Sequence, residues 1–173
     1  MALDQYWAAV LRLVRENETW LEVALFAFAF AESIIFASVF VPSTLIFIAI
    51  GALEGAANGA LFLLVVAGAL GALAGDVVSF AIGYRLRGDI DKLWGLRDHP
   101  ILVERAREFV ARWGIVAVVV SKLAGPLRPI VPMLAGAAPM PWPLFLLASA
   151  VSSIVWSVLV LVPAYYGFSA MSH

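Results

Sequence analysis

Four ionisable residues stand inside long apolar stretches of this chain: two acids, Glu32 and Asp76, and two bases, Lys122 and Arg128. An ionised side chain at the centre of a bilayer costs at least ~2.5–3.5 kcal/mol on insertion scales, so each of the four needs a partner. If the four converge, their charges cancel. Protonation of one acid would then leave a positive site, which suits a phosphate because arginine offers it paired, planar donors.

The chemistry expected of these residues is proton-linked binding of an anion. We expect Glu32 and Asp76 to relay protons or charge, and Lys122 and Arg128 to bind an anionic head group. Protonation of Glu32 would free the two cations for the anion, and deprotonation on the other side of a membrane would release it. The alternative is a static cluster of ion pairs that locks the fold.

Composition makes lipid the solvent for most of the chain. Hydrophobic residues make up 64% and charged residues 13% of the 173 residues, against roughly 45–50% and about 25% in soluble domains. A net charge of −1 excludes a nucleic-acid-binding protein that neutralises phosphates over a broad basic face. The sequence has no cysteine and no phosphate-binding loop, dinucleotide fingerprint or zinc motif, so we expect no cofactor and no metal.

Two apolar segments, residues 60–84 and 142–168, predict ordinary membrane spans because each exceeds the roughly 20 residues that a spanning helix needs. The first contains a stripe of small residues, including Gly71-x-x-x-Gly75, that lets another helix approach closely. Residues 85–112 hold seven Lys/Arg against five Asp/Glu. The positive-inside rule places that segment in the cytoplasm.

Two other apolar segments predict helical hairpins that enter the membrane and fold back. Residues 23–53 would form a single helix of about 46 Å, which is too long for a hydrocarbon core of about 30 Å, and Pro42 supplies a break. Residues 114–138 are interrupted in the same way by Pro126, Pro129 and Pro132. Irregular backbone is tolerated at membrane depth only where protein or a wet cavity covers it, so the two hairpins should face each other.

The order of these segments predicts one plan used twice. Each half has an amphipathic interfacial helix, a proline-broken hairpin that ends at a glycine (Gly51 or Gly136), and a membrane span. Since each half crosses once, the second is inverted. The predicted fold is an all-α membrane protein with one membrane domain: a first repeat over residues 1–84, a cytoplasmic connector over 85–99 and a second, inverted repeat over 100–173. Four complete crossings are the alternative, and they place both chain ends inside rather than outside.

The order and spacing of these motifs resemble the DedA family, also described as the VTT or SNARE-associated domain family, over nearly the whole chain. The motifs are Glu32 before Val41-Pro42-Ser43-Thr44 and Gly51, Gly71-x-x-x-Gly75-Asp76, and Lys122 and Arg128 before Gly136.

The resemblance implies two facing re-entrant hairpins and a lipid transporter, or flippase, in the cell membrane. Bacterial members are implicated in recycling undecaprenyl phosphate with the proton motive force, and eukaryotic relatives in phospholipid scrambling. The implied partners are anionic membrane lipids and protons. Thr44 stands where the family commonly carries a second acid, and Glu54 is a candidate substitute whose place beside Gly55 suggests the membrane interface.

Other functions stay open at this point. A proton-coupled small-ion transporter would use the same charges, and a scaffold for partner helices would use the glycine stripe, with a homo-oligomer also open. A lipid phosphatase would need histidines near Lys122 and Arg128, but the two histidines, His99 and His173, lie outside the apolar segments. We therefore expect no enzyme.

Overall fold

The computed structural model describes residue 16 and residues 18–34, 43–86, 100–123 and 128–169. Within these ranges the chain forms seven helices and no strand, which confirms the predicted all-α fold. The helices are α1 (Glu18–Glu32), α2 (Ser43–Ala57), α3 (Leu61–Leu86), α4 (Pro100–Trp113), α5 (Ile115–Ser121), α6 (Ile130–Ala137) and α7 (Trp142–Ser169).

Helices α3 and α7 are the two elements predicted as membrane spans, and both are long and apolar enough to cross a membrane. The ring of Tyr84, near the end of α3, lies 6.1 Å from that of Trp142 at the start of α7. At the opposite end, the hydroxyl of Tyr165 in α7 donates a hydrogen bond of 3.0 Å to the carbonyl of Gly59, just before α3. The two helices therefore run antiparallel. We call their ends the Trp142 end and the Tyr165 end.

Helix α1 runs alongside α3 in the same direction. A Cβ atom at Gly71 would collide with the carbonyl oxygen of Phe26, and one at Gly75 would collide with that of Phe30. The predicted glycine stripe is therefore the surface on which α1 packs. Because residue numbers rise together in the two helices, α1 begins near the Tyr165 end and reaches the middle of α3.

Helix α2 returns along α7. The ring of Phe47, in its first half, packs edge-on against Trp156 with the centroids 5.0 Å apart. Gly55, near its end, lies against the backbone of Tyr165. Since α1 follows α3 and α2 follows the antiparallel α7, the two arms form a hairpin whose open side is at the Tyr165 end. The prediction puts the break at Pro42, which lies outside the described residues, and α1 already ends at Glu32.

Helices α5 and α6 form the second hairpin, whose open side is at the Trp142 end. Ile115, at the start of α5, and Ala138, after α6, line one groove together with Leu144 of α7. Helix α6 packs against the last turns of α3, where a Cβ atom at Gly136 would collide with the carbonyl oxygen of Phe80. The two hairpins thus enter the helix pair from opposite ends.

Each hairpin contacts both long helices. The first arms pack on the long helix of their own half, α1 on α3 and α5 on α7. The second arms pack on the long helix of the other half, α2 on α7 and α6 on α3. Each hairpin therefore has one arm on α3 and the other arm on α7. The division into inverted repeats over residues 1–84 and 100–173, with a connector between them, stays a prediction.

Helix α4 is the amphipathic helix predicted for the second half, but its buried face differs from the predicted one. The pattern favours Leu102, Ala106, Phe109 and Trp113 as the apolar face. The structure buries a face that includes Val103, Ala106 and Val110, whereas Trp113 is exposed. The helix is rotated because its neighbour is α6. The corresponding helix of the first half and residues 87–99 lie outside the described residues.

Two apolar cores fill the described structure, one around each hairpin. The first includes Leu25, Phe47 and Leu64, and the second includes Phe80 and Phe145, whose rings stack at 4.0 Å. Along both α3 and α7 a short polar section separates the two cores. We call this section the polar layer. It contains the charged residues predicted for the site and buried serines: Glu32, Ser33, Asp76, Ser79, Ser121, Lys122, Arg128, Ser149, Ser152 and Ser153.

Candidate functional site

The structure brings all four predicted charges together in the polar layer, as two ion pairs that each join different elements. Glu32 is the last residue of α1, and Asp76 lies on α3. Lys122 directly follows α5, and Arg128 lies two residues before α6. Both acids therefore come from the first half of the chain and both bases from the tip of the second hairpin, so the layer is neutral when all four groups are ionised.

The first pair joins the two hairpins. Nη1 of Arg128 lies 2.8 Å from Oε1 of Glu32, with 5% and 12% of the side chains exposed. The geometry follows from the helix ends, because α1 stops at Glu32 and α6 starts just after Arg128. A contact of this length between ionised groups is a strong, charge-assisted hydrogen bond.

The second pair joins the tip of the second hairpin to α3. Nζ of Lys122 lies 2.7 Å from Oδ2 of Asp76, with 2% and 1% of the side chains exposed. The hydroxyl of Ser149, on α7, donates a hydrogen bond of 2.5 Å to the same oxygen. Asp76 is therefore held by an ammonium group and a hydroxyl group at once.

Arg128 has an aromatic partner as well as an acidic one. Its guanidinium carbon lies 3.9 Å from the centre of the Trp156 ring, within the distance at which a cation is attracted to an indole face. Within the described part of the chain, its Nε and Nη2 atoms are buried without a hydrogen-bond partner, and so is Oε2 of Glu32. The guanidinium thus retains donor capacity on the edge that Glu32 does not use.

Buried serines connect the layer to the surrounding backbone. The hydroxyl of Ser79 donates to the carbonyl of Ser33 at 2.8 Å, which ties the end of α1 to α3. The hydroxyl of Ser152 donates to the carbonyl of Ser149 at 3.1 Å, within α7. Each of these bonds gives a buried polar group the hydrogen-bond partner that apolar surroundings do not supply.

The glycines predicted for packing lie where helices meet. Gly71 and Gly75 face α1, and Gly136 faces α3. At Gly51 of α2 a Cβ atom would lie 3.1 Å from the Cβ of Ala164 in α7. Of the prolines predicted to break the hairpins, Pro129 is buried directly before α6, and Pro42 and Pro126 lie outside the described residues. Pro132 lies in the first turn of α6 and does not interrupt it, because a proline there removes no hydrogen bond of the helix. Thr44 lies in the first turn of α2, and its side chain is not among those described.

Glu54 does not lie in the polar layer. It stands near the end of α2 and is 2% exposed, and its Oε1 accepts a hydrogen bond of 3.1 Å from the backbone N–H of Ala60. This position is at the Tyr165 end, in agreement with a place near the interface, but the side chain is buried there. The carboxylate fixes the turn between α2 and α3, so its position does not supply the second acid of the site.

Two contributors to the site, Ser149 and Trp156, are absent from the sequence-based prediction. A signal for each is present in the sequence. Ser149, Ser152 and Ser153 interrupt an otherwise apolar span. Trp156 stands in the middle of that span, although membrane tryptophans concentrate at the interfaces. Both signals indicate a polar surrounding at that depth, but neither identifies the partner.

Comparison with known protein families gives one match over most of the chain. The family model described as VTT domain matches residues 15–166. No solved structure matches the chain.

The chain is also similar to bacterial proteins that are named as membrane proteins. It is 24% identical over 164 residues to Inner membrane protein YabI of Escherichia coli (strain K12), which covers 95% of this chain and 65% of YabI. It is 23% identical over 144 residues to an Uncharacterized membrane protein of Buchnera aphidicola subsp. Baizongia pistaciae, covering 83% of this chain and 56% of the relative. Uncharacterized membrane protein BU139 of Buchnera aphidicola subsp. Acyrthosiphon pisum is 23% identical over 128 residues, 74% of this chain and 50% of the relative. The chain spans half to about two thirds of the length of these relatives.

Proposed function

Since this chain belongs to the VTT domain family, the DedA family of membrane proteins, we propose that it moves an anionic lipid phosphate across the cell membrane in a proton-coupled cycle. It would be a multi-pass protein, and its substrate would be undecaprenyl phosphate or a phospholipid, as the resemblance of its motifs implies. It makes and breaks no covalent bond in this proposal, and it needs no cofactor.

The observation that carries the proposal is the state of Arg128. Its guanidinium is buried, is held by one carboxylate oxygen of Glu32 at 2.8 Å, and has two nitrogen atoms without a described partner. A phosphate can use such donors, because guanidinium groups bind phosphate oxygens in pairs. In this proposal Arg128 exchanges its present partner, the carboxylate of Glu32, for the phosphate.

Protonation of Glu32 is the step that would make Arg128 available. The four ionised groups sum to zero, so one added proton leaves a charge of +1 in the polar layer. An uncompensated buried cation is unfavourable, and a phosphate would restore the balance. When the bound site later reaches the other side of the membrane, loss of the proton would return Glu32 to Arg128 and expel the anion.

The outer surface of the helix pair is compatible with a lipid substrate. Large apolar side chains are exposed on both long helices, among them Phe62 and Leu70 on α3 and Leu147 and Ile154 on α7. Such a surface is compatible with acyl or prenyl chains alongside it. A lipid can therefore keep its tail in the bilayer while only its head group reaches Arg128.

A second candidate function is a scaffold that uses the charges only to hold the hairpins together. The pair of Lys122 and Asp76 favours it, because both side chains are almost fully buried and Ser149 adds a further bond to the acid. For a scaffold, both ion pairs would be structural, and neither would exchange its partner.

Reconstitution into proteoliposomes separates the two candidates. A fluorescent polyprenyl monophosphate serves as the probe, and its movement is followed with and without a pH gradient. We expect Glu32→Gln and Arg128→Gln to lower transport at least about tenfold, since a hydrogen bond to a charged group is worth about 1.5–3 kcal/mol. A labelled zwitterionic phospholipid, assayed in parallel, tests whether the phosphate monoester is what the site selects.

The matched controls are Glu104→Gln and Arg107→Gln, which remove the same groups from an exposed pair on α4 with 4.0 Å between its atoms. We expect both controls to transport within about twofold of the wild type, as exposed pairs contribute little. Wild-type transport by the two site variants, or no transport by any form of the folded protein, would overturn the proposal. If the site variants fail to fold, Glu32→Asp and Arg128→Lys keep the charges and test the geometry instead; for a scaffold these would alter stability without any transport to lose.

A further inference from the structure

Trp156 occupies a place that its residue type does not favour. It lies at the middle of α7 and is 6% exposed, whereas tryptophan in membrane proteins concentrates at the interfaces. Its ring is fixed from one side by Phe47 of the first hairpin, which packs edge-on with 5.0 Å between centroids. The guanidinium carbon of Arg128 lies 3.9 Å from the ring centre. The indole thus stands between an arm of the first hairpin and the cation at the tip of the second.

The ring is the one described partner of Arg128 that does not depend on protonation. The ion pair with Glu32 is lost when that acid takes a proton, whereas the attraction between a cation and an indole face persists. This attraction is largest where water is excluded, and Arg128 is buried. A guanidinium held over an aromatic face also loses part of its freedom to move, so its N–H groups stay in place for a ligand.

We propose that Trp156 is a positioning residue that holds the Arg128 guanidinium in place while Glu32 gives it up to the phosphate of the ligand. The inference rests on the proposed function, because it describes how Arg128 stays in place while its partner changes from Glu32 to the phosphate. Trp156 does not contact the proton, and its role is exerted through Arg128 alone.

The other buried cation lacks this arrangement. No described aromatic ring lies over Lys122, and its acid, Asp76, is closed by Ser149 as well. If Lys122 lost Asp76 as a partner, no described aromatic ring would remain to stabilise its charge. We therefore assign ligand exchange to Arg128 and the holding of the hairpin tip to Lys122.

The test compares Trp156→Leu with Trp156→Phe in the proteoliposome assay with the polyprenyl monophosphate. We expect Trp156→Leu to raise the half-saturating mole fraction of the lipid about tenfold, with a maximal rate within about twofold of wild type. Trp156→Phe, which keeps a ring, should restore most of the half-saturating value.

Trp142→Leu is the control for loss of a tryptophan from α7, because Trp142 packs on Phe80 at the Trp142 end, 4.6 Å between centroids. A pure packing loss would lower the maximal rate or the amount of folded protein in both tryptophan variants, with the half-saturating mole fraction near the wild-type value, and that result overturns the inference. A wild-type half-saturating mole fraction in Trp156→Leu at a normal maximal rate also overturns it. Arg128→Gln in the same assay separates the two hypotheses. Wild-type transport by Arg128→Gln refutes the proposed function. If Arg128→Gln loses transport while Trp156→Leu transports like the wild type, only the positioning role is refuted.

Discussion

The two buried ion pairs differ in how their acids are held. Oδ2 of Asp76 is bound by the ammonium of Lys122 and by the hydroxyl of Ser149, whereas Glu32 has Arg128 as its described partner. Each acid keeps its other oxygen without a hydrogen bond. Two buried charges are stable together only while both remain, because the loss of one leaves the other desolvated and unpaired. The pair of Asp76 and Lys122 is therefore suited to holding structure, and the pair of Glu32 and Arg128 to exchange.

Removal of one member of the Asp76 pair should destabilise the protein much more than removal of both. We expect Asp76→Asn to lower the free energy of unfolding by about 3–5 kcal/mol, because Lys122 remains as an uncompensated buried cation. The double variant Asp76→Asn with Lys122→Met should recover most of this loss, since Ser149 can still donate to the amide oxygen. Denaturant unfolding of the purified protein in detergent measures both values as a double-mutant cycle. Additive losses in the double variant would contradict the assignment of this pair.

Helix packing in this protein depends on glycines at the points where backbones meet. Gly83 and Gly136 lie in the contact between α3 and α6, and at each a Cβ atom would collide with a carbonyl of the other helix. Close approach of this kind lets membrane helices associate through dispersion and backbone contacts without large side chains. The tip of the second hairpin, with Lys122 and Arg128, is positioned by this contact.

An alanine at either contact glycine should therefore displace α6. We expect Gly83→Ala and Gly136→Ala each to destabilise the protein by about 1–3 kcal/mol, the usual cost of overpacking. Gly167→Ala, in α7, is the matched control because nothing lies within 4 Å of its Cβ position. It should be neutral or slightly stabilising, as alanine is the better helix former. Thermal unfolding in detergent compares the three, and equal effects at Gly83 and Gly167 would show that the close contact does not decide stability.

The sequence predicts the helices and their breaks better than it predicts their rotation. Long uncharged stretches and prolines are local features, so the two spans and the presence of a break in the first hairpin can be predicted from the chain, whereas the end of α1 at Glu32 is not predicted. Which face of α4 is buried depends on α6: Val103 and Val110 are buried, Phe109 is partly buried against the same core, and Trp113 is exposed.

The same limit applies to the site. The cost of buried charge predicts that four ionisable residues need partners, and the structure brings them together. The choice of Arg128 for Glu32 and of Lys122 for Asp76 is set by the relative depth of two hairpin tips. That depth depends on how the helices pack, so it cannot be predicted from the local sequence. Ser149 and Trp156 join the site for the same reason, through the register of α7 against α3 and α2.

Across the molecule, the ends of the helices decide between the two topologies that the sequence leaves open. Tyr84 and Trp142 lie together at one end, and Gly59 and Tyr165 lie together at the other. Four complete crossings would place Trp142 on the side opposite Tyr84, so the contacts favour two crossings with two folded-back hairpins. Both apolar cores then flank the polar layer from opposite sides, and the charges lie between the hairpin tips.

Labelling of single cysteines tests this topology in cells, because the native chain has no cysteine. Thr19, at the start of α1, and Asn58, between α2 and α3, are exposed at the Tyr165 end, and Glu108 is exposed on α4. The positive-inside rule puts the segment with seven Lys/Arg, residues 85–112, in the cytoplasm. We therefore expect an impermeant maleimide to label Thr19→Cys and Asn58→Cys in intact cells, and Glu108→Cys only after the membrane is permeabilised. Since α1 and α2 return to one side in a hairpin, labelling of Asn58→Cys with protection of Thr19→Cys would mean that the first segment crosses completely, and the meeting of the two hairpin tips would then have no basis.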